Sequence, residues 1–159
     1  MIILGIDPGY ALAGWGIIKK KGQQLEFIAC GCFETPKNMP HANRLKTLSD
    51  ELQKVIKKYK PEILAIEELF FFKNLKTAIK VAESKGVILT TAMNSKMKIE
   101  EFTPLQIKQA VVGYGRADKN QVGQMVKLIL NLKSVPQPDD AADAVAVAIT
   151  CANSNCQLR

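Results

Sequence analysis

Residues 2–7, IILGID, form a continuous apolar run that ends in an acid, and residues 63–67, ILAIE, repeat the pattern. Apolar runs without polar alternation are typical of strands that are buried on both faces of a sheet. We therefore predict two central strands, over residues 2–6 and 63–66. Asp7 and Glu67 then stand where these two strands end.

The segments between the two strands predict how they are connected. Residues 14–18 and 25–33 are short and apolar-rich, as in the strands of an antiparallel hairpin. Apolar residues recur at helical spacing over residues 45–56, and Pro61 ends that helix just before the second central strand. A crossover helix of this kind brings residues 63–66 back parallel to the first strand.

The second half of the chain combines helix signals with one strand candidate, over residues 98–102. Two capping boxes, each with a glutamine three positions after the N-cap residue, mark helix starts at Thr103 and Asp118. A last helix is predicted over about residues 139–151, after two prolines.

A long helix from about residue 74 carries one apolar stripe, which we predict to face the core. Gly86 within this stripe is expected to mark close packing. The stripe consists of Leu75, Ala78, Ile79, Ala82, Gly86, Leu89 and Met93.

Together these elements predict an α/β fold, with a five-stranded mixed sheet (an antiparallel meander plus parallel strands) flanked by helices. The length of 159 residues suits one domain, predicted over residues 1–152, with residues 153–159 as a short tail. No apolar run approaches the ~20 residues of a membrane span, and the N-terminus lacks the pattern of a signal peptide. We therefore expect a cytoplasmic protein, with its four cysteines reduced.

The charge balance indicates the class of partner. The chain carries 22 Lys and Arg against 15 Asp and Glu, a formal net charge of +7. This favours a polyanion such as nucleic acid, with an acidic membrane surface as a weaker alternative. The length excludes most enzymes that are built from two nucleotide-binding lobes.

Four acids are predicted to meet at one edge of the sheet. Asp7 and Glu67 follow parallel strands at the end where ligands bind in such sheets, and Asp140 and Asp143 share one face of the last helix. Carboxylates that converge repel one another unless the pKa of one rises or a cation binds. Oxygen ligands favour Mg²⁺ or Mn²⁺ over zinc. Two such ions activate water and stabilise the leaving oxygen of a phosphodiester, which predicts hydrolysis of a nucleic-acid backbone.

Each of these acids also has a purely structural explanation. The aspartates of the last helix suit a helix N-terminus, Asp7 opens a good turn sequence, and Glu67 with Glu68 would form a solvated pair. Asp139 and Glu68 are expected to point away from the other acids. The joint occurrence of the four acids is what favours a site.

Aromatic and basic residues flank the acids. Phe70 is the candidate for stacking on an unpaired base, whereas Phe71 and Phe72 are expected in the core. Two basic groups follow in the sequence, of which the second surrounds a glycine-rich loop suited to phosphate oxygens. The first consists of Lys73 and Lys76, and the second of Lys108, Arg116 and Lys119.

Five motifs resemble, in order, those of the RuvC family of bacterial Holliday-junction resolvases. They are residues 5–9 (GIDPG), 65–70 (AIEELF), 106–115 (QIKQAVVGYG), 117–119 (ADK) and 140–144 (DAADA). The resemblance covers about residues 1–152 and implies a ribonuclease-H-like fold. It further implies a homodimer that uses Mg²⁺, or Mn²⁺ in its place, to nick two strands of four-way junction DNA symmetrically in recombination and repair.

The resemblance also assigns roles to single residues. Phe70 matches the base-contacting aromatic, Lys108 and Lys119 match the DNA-contacting lysines, and the four acids match the metal ligands Asp7, Glu67, Asp140 and Asp143. It implies ligatable nicks with 5′-phosphate ends, preference for a short thymine-containing sequence, and cooperation with the RuvA–RuvB branch-migration complex. Ala13 departs from the family, which usually has threonine there.

We expect a mechanism in which the four acids hold two metal ions and a metal-bound water attacks the phosphate. Lys119 would stabilise the developing charge, and Lys108 would neutralise the backbone. Two other function classes fit parts of the sequence. One is a phosphate-loop module of the actin or sugar-kinase type, and the other is a junction-binding protein of the same fold without activity.

Overall fold

The protein is described by a computed structural model, which covers residues 1–36, 38–69 and 75–154, without the side chains of Leu75 and Lys76. Within these ranges five strands form one sheet, in the order β3-β2-β1-β4-β5. The strands are β1 (Ile2–Asp7), β2 (Leu12–Lys21), β3 (Gln24–Glu34), β4 (Ile63–Glu67) and β5 (Lys98–Phe102). The helices are α1 (His41–Tyr59), α2 (Leu75–Asn94), α3 (Pro104–Val112), α4 (Lys119–Ile129) and α5 (Asp139–Asn153).

The sheet is mixed, as the sequence predicts. β1, β2 and β3 form an antiparallel meander, whereas β4 and β5 run parallel to β1. The crossover through α1 places Ile66 beside Ile6 in register, so β1 and β4 end at the same edge. We call this edge, where Asp7 and Glu67 lie, the Asp7–Glu67 edge.

Helices cover both faces of the sheet, so neighbouring residues of the central strands enter two different cores. Ile3 and Ile63 pack with residues of α3, α4 and α5. Leu4 and Leu64 pack with residues of α1 and α2. All four side chains are completely buried, which explains the continuous apolar runs in β1 and β4.

Small residues allow α5 to lie directly on the strands. A Cβ atom added to Gly14 would lie 1.9 Å from the Asp140 carbonyl oxygen, and one added to Gly5 would lie 2.1 Å from the Ala144 carbonyl oxygen. No real Cβ atom tolerates such distances, so glycine at these two strand positions is required for the observed approach. The buried face of α5 is correspondingly rich in alanine.

The predicted helix starts are confirmed. The Thr103 hydroxyl accepts a hydrogen bond from the Gln106 amide, and the Asp118 carboxylate accepts one from the Gln121 amide. In both boxes the glutamine side chain accepts the reciprocal bond from the N-cap amide. These local bonds depend on neighbouring residues alone, which is why the sequence predicts them well.

The predicted orientation of α2 is wrong for much of the stripe, although Leu89 packs against the core. Ile79 and Met93 of the apolar stripe are 64% and 61% exposed, and a Cβ atom at Gly86 would meet nothing within 4 Å. The buried face instead contains Ile88 and polar residues such as Thr91. Thr91 is tolerated there because its hydroxyl donates to the Val87 carbonyl of the preceding turn.

Two further expectations concern the described residues. Cys30 and Cys32 form no disulfide with any described residue, and the reduced state of the four cysteines stays a prediction. Across the described ranges, none of the helices combines the length and the apolar character that a membrane crossing requires.

Candidate active site

The two strand-end acids meet at the Asp7–Glu67 edge. Asp7 is the last residue of β1 and Glu67 the last residue of β4, and these strands are hydrogen-bonded neighbours. Adjacent strands lie ~4.8 Å apart, so the two carboxyl groups come within contact range. Burial and then the charge of Glu67 raise the pKa of Asp7, so the two carboxyl groups interact across the adjacent strand ends.

The two acids of α5 lie near the same edge of the sheet. α5 presents Asp140 and Asp143 in its first turns, and the charges of both raise the pKa of Asp7. The close approach at Gly14 fixes this position, because Gly14 pairs with Asp7 in the sheet and also contacts the Asp140 carbonyl oxygen. The charges of these acids, which are distant in the sequence, therefore act on Asp7 at this edge of the sheet.

Their mutual repulsion is visible in the acid–base chemistry of the site. Burial, followed by the charges of Glu67 and Asp143, raises the pKa of Asp7 from 3.8 to about 8. Burial and then the charge of Asp143 also raise the pKa of Glu67. At neutral pH a proton therefore remains on Asp7, because the site does not tolerate a full set of negative charges.

Lys119 supplies the positive charge at this site. Its Nζ lies 2.6 Å from Oδ2 of Asp143, and the hydrogen bond between them raises the pKa of Lys119. The ammonium group remains mostly exposed, whereas the Asp143 side chain is only 19% exposed. Lys119 is therefore accessible from solvent while it neutralises part of the acidic group.

Three of the four acids and both lysines line one cavity of about 310 Å³. Its polar side is formed by Asp7, Glu67, Asp143, Lys108 and Lys119, and its apolar side by residues of α3, α4 and α5. A cavity lined by both carboxylates and two ammonium groups suits a phosphodiester, since the lysines attract the anion that the acids would repel.

The acids are not preassembled as a ligand set. Among the described residues, no three His, Cys, Asp or Glu side chains are grouped so that they already hold a metal ion. The ion pair of Asp143 with Lys119 is one reason, because it directs a carboxylate oxygen to the ammonium group.

Of the other predicted site residues, several fall outside the described part of the chain. Phe70 and Lys73 lie outside the described residues, as do Phe71 and Phe72, and the side chain of Lys76 is also outside them. Arg116 is exposed beside the glycine-rich loop, and Asp139 is exposed as expected. Glu68 donates its amide to the Phe102 carbonyl.

The sequence analysis missed two contributions to the site. Gly14 was assigned only to a strand, although it sets the position of Asp140. Cys32 lies opposite Gly14 in the sheet, and burial followed by the charge of Asp140 raises the pKa of its thiol to about 11. Neither contribution has a local signal, because both depend on strand register. Ala13 lies in the apolar cluster of the α1 side.

Comparison with known proteins adds a family to this geometry. A model of the crossover junction endodeoxyribonuclease RuvC matches residues 3–151. The chain belongs to the RuvC family. A RuvC from Alkaliphilus oremlandii is 53% identical over 154 residues, which are 97% of this chain and 94% of that protein. A RuvC from Caldanaerobacter subterraneus is 52% identical over 158 residues, 99% of this chain and 96% of that one.

Solved structures of RuvC agree with the fold. Thermus thermophilus RuvC in complex with a Holliday junction has a TM-score of 0.90 and 34% identity, covering 96% of this chain and 93% of that one. The fowlpox virus resolvase in its junction complex has a TM-score of 0.62 at 17% identity, covering 99% and 100%, which shows a shared fold. The ribonuclease-H-like class of fold is thereby confirmed. The alternative of an actin-type or sugar-kinase module is wrong.

Proposed function

We propose that this protein resolves Holliday junctions by cutting two strands of four-way DNA at symmetric positions. The observation that carries the proposal is the convergence of Asp7, Glu67, Asp140 and Asp143 at one edge of a basic member of the RuvC family. This arrangement suits hydrolysis of a phosphodiester and offers no role to a side-chain nucleophile.

Divalent cations fit the residues of this site. The donors are carboxylate oxygens, which suit Mg²⁺ or Mn²⁺, and the raised pKa of Asp7 indicates that the site needs more positive charge than Lys119 provides. Asp7, Glu67, Asp140 and Asp143 would hold two ions once Asp143 is released from Lys119. The ions would supply an activated water and charge neutralisation at the phosphate.

The side chains of the chain itself would then bind and orient the DNA. Lys119, released from Asp143, would donate to an oxygen of the scissile phosphate and stabilise the charge that develops there. Lys108, which also lines the cavity, would hold the backbone. The apolar wall, with Ile107 and Val122, would limit the access of water to the acids.

Other DNA contacts follow from the position of basic and aromatic residues in the sequence. We assign Phe70 to stacking on a base next to the junction, because it follows Glu67 by three residues. Lys73, Lys76 and Arg116 would contact phosphates on either side of the cavity.

A homodimer accounts for the apolar stripe of α2. Ile79, Met93 and the small residues Ala82 and Gly86 between them form an exposed stripe along this helix. A second copy of the same helix would cover it, since small residues allow close approach and the larger ones fill the sides. Two sites related by a twofold axis would match the symmetry of a four-way junction. Cytoplasmic location and cooperation with RuvA–RuvB complete the proposal.

Cleavage of synthetic DNA tests this function. A mobile four-way junction and a linear duplex of the same sequence would be incubated with the protein, with and without Mg²⁺. We expect paired nicks in the junction alone, and only with the metal. Cleavage in excess chelator would contradict the role of the acids.

Asp7→Asn separates the acids from DNA binding. We expect this variant to bind the junction and leave it intact, whereas Asp139→Asn, a change of the same kind on an exposed residue, should cut normally. A protein that binds the junction but never cuts it under any condition would be a junction-binding protein without activity.

A further inference from the structure

A second group of charged side chains lies at the Asp7–Glu67 edge, on the opposite face of the sheet from α5. Tyr10 follows Asp7 by three residues. The Arg44 guanidinium lies 4.4 Å from the centroid of the Tyr10 ring, and Lys80 Nζ lies 4.8 Å from the same centroid. His41 contacts this ring as well, with a centroid distance of 5.6 Å.

The topology places this group beside the acids. β3 runs parallel to β1 and ends at Glu34, opposite Leu12 at the start of β2. α1 begins soon afterwards at His41, so its first turn lies at the Asp7–Glu67 edge. α1 and α2 cover one face of the sheet, whereas Lys108 and Lys119 lie on the other face with α5.

The positive charge of the group is incompletely neutralised. Arg44 is 95% buried, since its relative exposure is 5%, and it donates to the carbonyl oxygens of Thr35 and Pro36 at 2.9 and 3.1 Å. Glu83 is bound to His41, at 2.7 Å between Oε2 and Nε2. Within the described residues, Arg44 and Lys80 thus have the Tyr10 ring as their shared electron-rich neighbour, which compensates a cation only in part.

The group also has unused hydrogen-bonding capacity. Thr35 Oγ1 and His41 Nδ1 are buried and have no hydrogen-bond partner within the described residues. A hydrogen bond from Arg44, supported by the charge of Lys80, lowers the pKa of Tyr10. A hydroxyl made more acidic in this way is a stronger donor to an anionic oxygen.

We propose that Tyr10 and Lys80, supported by Arg44, bind a backbone phosphate of the DNA on the α1–α2 side of the Asp7–Glu67 edge. A strand held there and at Lys108 would cross the edge over the acids, with a phosphate contact on each face of the sheet. Lys80 supplies the mobile charge, Tyr10 the hydroxyl, and the buried Arg44 the fixed positive potential behind them. This inference rests on the proposed action on DNA.

The structure offers a matched control for Lys80. Lys58 Nζ lies 4.9 Å from the centroid of the Tyr59 ring, which is the same lysine-over-tyrosine arrangement. Tyr59 is the last residue of α1, however, whereas His41, which contacts the Tyr10 ring, is the first, so the two pairs lie at opposite ends of this helix. Lys58→Gln and Lys80→Gln remove the same charge from the same kind of partner and differ in their distance from the acids.

Binding of a fluorescent four-way junction would be measured by anisotropy over a series of salt concentrations, without divalent metal. Loss of one phosphate contact reduces the slope of log K against log salt by about 0.9, so we expect this reduction for Lys80→Gln. Lys58→Gln should keep the slope of the unmodified protein. Tyr10→Phe should weaken binding and keep the slope, because it removes a hydrogen bond and no charge.

The outcomes distinguish this inference from the proposed function. If the unmodified protein does not bind the junction, both fail. If it binds and Lys80→Gln keeps the same slope, the inference fails and the proposed function stands. If Lys80→Gln lowers the melting temperature and keeps the slope, the contacts of Tyr10, Arg44 and Lys80 only hold α1 and α2 against the loop that contains Tyr10. That result would also overturn the inference.

Discussion

Replacing the buried acid Asp7 by asparagine is expected to stabilise the metal-free protein while it abolishes cleavage. The pKa of Asp7 rises from 3.8 to about 8 on folding, so the folded state holds a proton that the unfolded chain has lost at neutral pH. A raised pKa of an acid contributes stability that is present below pH 4 and is lost as the pH rises through 8. Asparagine carries no charge at any of these values.

The structure sets the size of this effect. One pKa unit corresponds to ~1.4 kcal/mol, so the proton that Asp7 must take up on folding at pH 7 without metal opposes folding by roughly 2 to 4 kcal/mol, allowing for adjustment of the neighbouring charges. In a domain of this length ~1 kcal/mol shifts the melting temperature by about 2 to 4 °C. We therefore expect Asp7→Asn to melt roughly 5 to 10 °C higher at pH 7 in chelator.

Thermal unfolding between pH 5 and pH 8 is the assay. The advantage of Asp7→Asn should be small near pH 5, grow towards pH 8, and shrink when Mg²⁺ is added, because only the unmodified site gains from the cation. A variant that is less stable than the unmodified protein, or equally stable at every pH, would refute the reasoning. Asp139→Asn, at an exposed position, is the control for a general effect of charge.

Three further predictions concern the lysines, the α5 contact and the α2 stripe. Lys119→Met should bind Mn²⁺ about three- to fivefold more tightly in calorimetry, because a partly exposed ion pair of ~0.5 to 1 kcal/mol no longer competes, whereas Lys108→Met should not. Gly14→Ala should lower stability by roughly 1 to 3 kcal/mol or more in urea unfolding and reduce cleavage, because the added methyl group displaces α5. Ile79→Lys should convert a dimer to a monomer in sedimentation, and Leu128→Lys, with 67% exposure, should not. Unchanged Mn²⁺ affinity of Lys119→Met would contradict the first of these predictions. Full activity of Gly14→Ala would contradict the second, and a persistent dimer of Ile79→Lys the third.

The elements of the fold were predictable where their signals are local. The continuous apolar runs before Asp7 and Glu67 predict strands that are buried on both faces, and both are observed. The glutamines at 106 and 121 predict the helix starts because each bonds to a residue three positions away. The ends of the strands were less well predicted. β2, for example, extends from Leu12 to Lys21, beyond the predicted apolar segment.

The orientation of α2 was not predictable from its periodicity. An apolar stripe indicates that one face will be buried, and it does not specify whether the same chain or another covers it. In this protein the face of Ile88 and Thr91 packs on the sheet, and the stripe with Ile79 stays exposed. The physical reason is that a partly polar face is buried at little cost in free energy when a side chain such as Thr91 forms its hydrogen bond to the helix backbone.

The order of strands and helices, the basic charge and the identity of the four acids were determined by the sequence itself, because each depends on residue type and short-range spacing. Tertiary structure alone decided how close those acids come, through strand register and the contact of Gly14 with α5. It also decided that Asp7 keeps its proton and that Tyr10 meets Arg44 and Lys80. These are distances between groups far apart in the chain, and electrostatic energies depend on such distances and on burial.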